Sequence, residues 1–222
     1  PPAHSSVLQS VDTSKAEKIP GVVIVNQDEI VAALHEDPEQ AERALGLIEA
    51  EWQTPKPHVD ETTIWDYLRS KDPGGEPDDV RGSVEMGAGQ SAKRFSNTYQ
   101  AGYWAHAPIE THTATASMQD GKITVWSSTQ SPFGNRAAVS EALWIPSETV
   151  RVITPYVGGG FGGKSHAYHA IEAASLTRIV GRPVQVAYTR AEEFFFDTFQ
   201  PAAFIEIDSG LDGEGGISLW DY

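Results

Sequence analysis

Gly158-Gly159-Gly160-Phe161-Gly162-Gly163-Lys164-Ser165 is the stretch whose reading decides what kind of chain this is. Its spacing satisfies G-x-x-x-x-G-K-[ST], the loop that cradles the phosphates of a nucleoside triphosphate. Its composition points elsewhere. Five glycines around one phenylalanine exceed what a phosphate loop needs, and glycine is conformationally costly enough that a cluster calls for a steric reason. The pattern describes a backbone laid against a flat or bulky ligand, with one aromatic ring at its margin. A turn that only permits close helix–strand packing accounts for one or two glycines, not five.

Outward from the loop, an apolar strand pattern at 150–154 precedes it and a helical pattern over 166–180 follows, closed by Gly181 with Pro183 beyond. A strand before and a helix after is the context a phosphate loop demands. The remainder of an NTPase site is missing. Such a loop follows the first strand of a parallel sheet, whereas this one lies behind several hairpin-like segments. The acid that would close a four-residue apolar run, Asp208, has Glu206 interrupting that run.

The 222 residues carry a formal net charge of −15, with 40% hydrophobic and 21% charged residues. That is a globular composition, and the acidic balance argues against nucleic acid, which requires a concentrated basic face. With no cysteine in the chain, disulfides, thiolate metal sites, a cysteine nucleophile and iron–sulfur ligands are excluded here. No apolar run approaches the ~20 residues of a membrane span. The start Pro1-Pro2-Ala3-His4 shows no initiator Met, basic region or apolar core, so no targeting signal is visible and a processed product or excised piece is expected.

The pattern predicts an α+β fold in three parts. Residues 1–53 read as a small α/β unit with strands at 6–12, 22–25 and 29–35. Asp37 with Pro38 at the first helical position starts a helix, whose apolar positions Ala41, Ala44, Leu45, Ile48 and Trp52 keep the spacing of one buried face. Residues 54–92, with Pro55, Pro57, Pro73 and Pro77, read as a connector draped over the surface. From 93 to 222 the pattern is dense again. Strands are expected at 95–103, 113–118, 122–127, 150–154, 184–188, 203–208 and 217–222, with Asp120-Gly121 as a hairpin turn. Helices are expected from Ser131-Pro132 to about Leu143, over 166–180 and over 191–196.

Several motifs flank the loop in a fixed order: Tyr103-Trp104-Ala105-His106-Ala107-Pro108-Ile109-Glu110-Thr111-His112, Trp126-Ser127-Ser128-Thr129-Gln130-Ser131-Pro132-Phe133, Gly181-Arg182-Pro183-Val184 and Thr189-Arg190-Ala191-Glu192-Glu193-Phe194. In that order and spacing they resemble the molybdenum-binding subunit of the xanthine dehydrogenase / aldehyde oxidase family. The first fifty residues, including Val11-Asp12-Thr13-Ser14 and Ile19-Pro20-Gly21-Val22-Val23, resemble that family's α/β hammerhead domain. The compact version here is most similar to the isoquinoline-oxidoreductase-like bacterial branch.

The resemblance implies a hammerhead-like domain at 1–53, a connector at 54–92 and the first part of a molybdopterin-binding domain at 93–222. It implies a molybdenum–molybdopterin cofactor, in the cytosine dinucleotide form, and oxidation of an aldehyde or N-heterocycle with water-derived oxygen. Partners would be the remainder of the molybdenum subunit and a subunit carrying [2Fe-2S] clusters; relatives are cytoplasmic, or alternatively periplasmic. Gln130 matches a glutamine whose amide donates to an oxygen on the metal, whereas read alone it is an ordinary solvated polar residue. Gly160, Phe161 and Gly162 match backbone beside the cofactor, where a Cβ at the glycine positions would collide with the pterin. Ser165 stands in the substrate pocket where purine-oxidising members carry a glutamate. Serine cannot make that charge-assisted contact, which argues against xanthine or hypoxanthine.

Lys164 and Glu110 are expected to be structural. His106, His112, His166 and His169 receive no ligand role, because the pterin dithiolene would hold the metal and a His pair at i, i+3 is weak evidence alone. The glutamate that serves as base in the family lies in a C-terminal region without counterpart here, so no catalytic residue is assigned and the chain by itself is expected to be inactive. The alternatives are a P-loop-like NTPase and a cofactor-less binding or assembly module on the same fold.

Overall fold

The computed structural model describes residues 1–27, 30–71 and 79–222. They form two compact units, Pro1–Asp78 and Asp79–Tyr222, and the fold is α+β.

In the first unit, β1 (Val7–Asp12) pairs antiparallel with β4 (Glu49–Gln53), and β2 (Val23–Gln27) with β3 (Ile30–Leu34). Glu29, the first residue of the strand expected at 29–35, lies outside the described residues. Helix α1 (Pro38–Leu45) starts as its sequence predicts, with the Asp37 side chain accepting from the Glu39 N–H and Pro38 in the first turn. Ala44 from its inner face packs with Ala16 and Ile19 into a small core.

The helix expected to continue through Trp52 instead ends before Gly46. The Gly46, Leu47 and Ile48 N–H groups close a last turn on Glu42, Ala44 and Leu45. The chain then becomes β4, with Trp52 opposite Leu8. Pairing with β1 satisfies backbone groups of two segments at once, and this outweighs a side-chain spacing that also fits a helix.

The stretch expected as a connector carries two helices, α2 (Ile64–Lys71) and α3 (Val84–Gln90); Pro73 and Pro77 lie outside the described residues. Asp60 caps the approach to α2, accepting from the Thr62 and Thr63 N–H groups and hydroxyls. Those bonds pull its carboxyl down to about 2.

In the second unit α3 packs against a three-stranded sheet of order β11-β10-β5, formed by β5 (Lys93–Ala101), β10 (Ala203–Leu211) and β11 (Ile217–Asp221). Gly87 of α3 is what permits the approach: a Cβ there would lie 2.4 Å from the Ser218 carbonyl oxygen.

The site is built on the other sheet, of order β8-β7-β6-β9. Its strands are β6 (Thr113–Gln119), β7 (Lys122–Ser127), β8 (Val150–Ile153) and β9 (Val184–Ala187). Asp120 and Gly121, both at positive φ, make the β6–β7 hairpin turn. Helix α4 (Pro132–Leu143) carries the chain back so that β8 runs parallel to β7. Helix α5 (Tyr168–Val180) lies on the sheet through Ala170, Ala173 and Ala174, all fully buried against Ala114 and Ala116. The Thr177 hydroxyl donates to the Ala116 carbonyl across that contact, at 3.1 Å. Because β7 and β8 are parallel, their carboxyl ends emerge side by side, Trp126 opposite Ile153. The Gln130 segment and the glycine loop are therefore neighbours, at the end of parallel strands where α/β sheets collect their ligands. No helix among the described residues is long and apolar enough to cross a membrane.

Candidate functional site

Both ends of the glycine loop are held by Glu110. Its Oε2 accepts from the Gly158 N–H at 2.9 Å and from Lys164 Nζ at 2.7 Å, and its own N–H donates to the Gly158 carbonyl at 3.2 Å. Burial alone pushes the Glu110 carboxyl up. The Lys164 hydrogen bond, the Gly158 N–H and the lysine charge overcome that and leave it below its ordinary value. The Lys164 side chain is 0% exposed, so the residue that completes the phosphate-loop pattern points into the protein.

Gln130 binds the loop a second time. Its N–H donates to the Lys164 carbonyl at 2.8 Å, which also accepts from the Thr129 hydroxyl. Its side-chain Oε1 accepts from the Gly162 N–H at 2.9 Å. A backbone N–H only donates, so this contact fixes the amide orientation and leaves the Gln130 NH2 without an acceptor among the described residues.

Gly163 N–H closes a turn on the Gly160 carbonyl at 2.9 Å. Its two central residues, Phe161 (φ +53) and Gly162 (φ +106), lie in the left-handed region, as in a type I′ turn. Phenylalanine in that region is strained backbone of the kind found at ligand sites. It presents a ring that is 73% exposed. The Ser165 hydroxyl donates back to the Gly162 carbonyl at 2.8 Å. The peptide N–H groups of Gly159, Gly160 and Phe161 have no acceptor among the described residues.

Some of the glycines also have a reason within the protein itself. A Cβ on Gly160 would lie 2.4 Å from Gln130 Oε1, one on Gly158 2.7 Å from Glu110 Cβ, and one on Gly163 3.0 Å from His106 Cβ. At Gly158 and Gly163 the protein's own side chains already exclude larger residues, whereas at Gly160 the neighbour is the movable end of the exposed Gln130 side chain.

Beneath the loop lies a layer of histidines anchored by helix α6 (Arg190–Phe196), which starts in a capping box between Thr189 and Glu192. Glu193 from α6 takes His112: Oε2 is 2.7 Å from the His112 backbone N and 2.9 Å from Nδ1. Asp197, just past α6, holds His106 in the same way, at 2.7 Å and 2.6 Å. Burial pushes the Asp197 carboxyl up, and its bonds to His106 bring it below the ordinary value. Sequence reasoning placed Glu193 within a motif but gave neither acid a role. The capping box was the signal that an α6 helix would aim the next acid inward.

His166 lies ahead of α5, after a 3-10 turn at Gly163–Ser165, rather than inside the helix expected from 166. Its ring stacks on His112 at 4.4 Å, and His169 meets His112 edge-on at 4.8 Å. The Ser127 hydroxyl donates to Asn135 and therefore accepts from His169 Nε2 at 2.9 Å. Burial, then the charge of His112, lowers His166 from 6.5 to about 4 and His169 from 6.5 to about 3. Ring nitrogens of His112, His166 and His169 lie within 4.8 Å of one another. Two nitrogens on a tetrahedral zinc are about 3.4 Å apart, given Zn–N bonds of ~2.0–2.1 Å. Stacked rings at this spread, with both His112 nitrogens engaged, do not converge on one ion.

The sequence over residues 72–222 matches the family described as the molybdopterin cofactor-binding domain. The chain belongs to that family. Among its relatives are the molybdenum-binding subunits of xanthine dehydrogenase / aldehyde oxidase-type enzymes. It is 30% identical to a nicotinate dehydrogenase polypeptide of Pseudomonas putida over 97% of this chain and 18% of the relative. It is 30% identical to the aldehyde oxidoreductase molybdenum-binding subunit PaoC of Escherichia coli O157:H7, over 97% of this chain and 30% of the relative. The chain thus spans less than a third of the length of these relatives. The aldehyde oxidoreductase of Desulfovibrio gigas shares the fold, with a TM-score of 0.74 and 14% identity over 96% of this chain and 28% of that one.

The residues of this chain fit a molybdopterin group chemically. Three consecutive peptide N–H groups on the strained loop and the amide NH2 of Gln130 on the neighbouring segment have no acceptor among the described residues, and Phe161 is exposed beside them. That donor set suits an oxygen-rich, flat ligand.

Proposed function

We propose that this chain forms one wall of the molybdopterin site of a molybdenum hydroxylase that oxidises an aldehyde or an N-heterocycle, with Gln130, Gly160, Phe161 and Gly162 against the cofactor. The observation that carries the reading is the Gly162–Gln130 contact: by engaging the amide oxygen, it leaves only N–H to offer to a ligand. When bound, the cofactor supplies two-electron oxidation and transfer of a water-derived oxygen. The Gln130 NH2 orients a cofactor oxygen without competing as a ligand. Phe161, held at the turn tip, shields the edge of the site from water and lines the substrate entry.

Ser165 lines the substrate pocket, where its hydroxyl, bonded to its own loop, offers no charge to a purine. The catalytic base belongs to polypeptide beyond this chain, so the described wall binds and orients and does not move the substrate's proton. On the same reading, 1–53 is a hammerhead-like domain of the isoquinoline-oxidoreductase-like type and 93–222 the first part of the molybdopterin-binding domain. The cofactor is the cytosine dinucleotide form. The partners are the rest of the molybdenum subunit and a [2Fe-2S] subunit, with the complex in the cytoplasm or the periplasm.

Metal analysis and extraction of the fluorescent oxidised pterin from the natively purified protein test the reading. Molybdenum and pterin in equal amounts support it. A protein without either would favour the cofactor-less assembly module. Thermal stabilisation by a nucleoside triphosphate would favour the NTPase, against which the buried Lys164 already stands.

A further inference from the structure

Both ring nitrogens of His112 face hydrogen-bond acceptors. Nδ1 is 2.9 Å from Glu193 Oε2, and Nε2 is 3.3 Å from the Gly163 carbonyl oxygen. A neutral imidazole has one donor and one acceptor nitrogen. A neutral His112 bonded to an ionised Glu193 would therefore aim a lone pair at a carbonyl in a site where both side chains are at most 3% exposed. A buried polar contact left unsatisfied in that way opposes the folded arrangement.

We propose that His112 carries N–H on both ring nitrogens, charge-paired with Glu193, and is the positioning residue that pins the Gly163 carbonyl beneath the glycine loop. The first half stands on geometry alone; the second, as a role at a cofactor site, rests on the molybdopterin reading. The rival placement puts the proton on Glu193, as a carboxylic acid donating to Nδ1. Two features oppose it. An imidazole outcompetes a carboxyl for a shared proton by about two pH units in water. Glu193 Oε2 also accepts from the His112 backbone N–H at 2.7 Å, a second bond that favours the carboxylate.

The groups around His112 agree with a single charge placed there. His166 stacks on it, His169 and Tyr188 surround it, and Glu193 pairs with it. Burial is the largest influence on both His166 and His169 and lowers them, so neither neighbouring ring competes for that charge.

The consequence runs into the loop. Gly163 sits between Gly162, whose N–H binds Gln130, and Lys164, whose carbonyl binds Gln130 and Thr129. Two peptides lie between those anchors: the Gly162–Gly163 unit is held by the Ser165 hydroxyl and the Gly160 carbonyl, and a donor on the Gly163 carbonyl fixes the other, Gly163–Lys164, and through it the bond of the Lys164 carbonyl to Gln130. His112 acts through the loop and touches no substrate.

Neutron diffraction on the deuterated native protein reads the protons directly. Deuterons on both Nδ1 and Nε2 of His112, with none on Glu193, are expected. A single deuteron on the ring, or one on Glu193, overturns the proposal whatever the cofactor content. The positioning half is read from Glu193→Gln in the native complex, which removes the countercharge but keeps the size. A shifted molybdenum(V) electron paramagnetic resonance signal, or a several-fold loss of bound pterin, is expected. Unchanged spectrum and unchanged pterin content together would overturn it. Absence of pterin from the unaltered protein would sink the molybdopterin reading and with it the role at the site, but not the protonation.

Discussion

Lys164 Nζ and Glu110 Oε2 meet at 2.7 Å across 54 residues of sequence, and that ion pair is what turns a phosphate-loop pattern into something else. The lysine that should face a nucleotide is instead the buried tie between the loop and the segment preceding β6. Removing one partner of a buried pair strands the other, which costs more than replacing both with apolar groups. Glu110→Gln is expected to destabilise by roughly 3 kcal/mol, the low end for a buried pair because Glu110 is partly solvated. Glu110→Gln with Lys164→Met should recover most of that. Urea denaturation of the single and double variants decides it, and equal losses in both would refute the ion-pair account. Because the Glu110 carboxyl is depressed in the folded protein, its contribution is present above its unfolded value and lost as pH falls through the folded one.

Two glycines of α3 make a paired test. A Cβ at Gly87 would press on the Ser218 carbonyl oxygen at 2.4 Å, whereas one at Gly89 meets nothing within 4 Å. Gly87→Ala should cost about 1–3 kcal/mol through overpacking. Gly89→Ala should stabilise by about 0.5–1 kcal/mol through helix propensity. Similar thermal melts for the two variants would contradict the packing of α3 on β11.

Gln130 and Gly160 share one volume, so substitutions at either are expected to fail through the Gln130 amide. Gln130→Glu still accepts from Gly162 but loses the NH2 donor, and should lower substrate oxidation or bound molybdenum about 10–100-fold with the melting temperature nearly unchanged. Gly160→Ala brings its Cβ to 2.4 Å from Gln130 Oε1, the far end of an exposed side chain that can swing aside, so it should displace the amide and lose cofactor at little cost in stability. Metal content read beside thermal melts checks both, and a large loss of stability in either would contradict it.

His166 and His169, lowered from 6.5 to about 4 and about 3, make the fold acid-sensitive. Below pH 6.5 the unfolded chain takes up protons that the folded one refuses, so stability falls from there down to the folded values. His169→Gln and His166→Gln should each flatten the decline in denaturation midpoint between pH 7 and pH 5. An unchanged slope in both would mean that these rings are not held neutral.

Much of this architecture can be read locally. Asp37-Pro38, Asp120-Gly121 and Gly181 place a helix start, a hairpin and a helix end, because each acts through its own backbone. The ordered motifs from His106 to Phe194 are enough for the family. Local reading failed where partners are remote. The spacing of Leu45, Ile48 and Trp52 fits a helix, and only pairing with β1 makes 49–53 a strand. Helix α3 is glycine-rich and forms against β11, more than a hundred residues away.

The sequence by itself determined the α+β class and the glycine loop, since these rest on residue types and short spacings, and the family resemblance of its ordered motifs is what made Gln130 a candidate. The tertiary structure decided which way Lys164 points, which amide atom of Gln130 is left free, and which acids hold His106 and His112. Those are questions of who satisfies whose hydrogen bonds in a buried layer. Parallel pairing of β7 with β8 and the landing of α6 beneath the loop settle them, through contacts that no local spacing encodes.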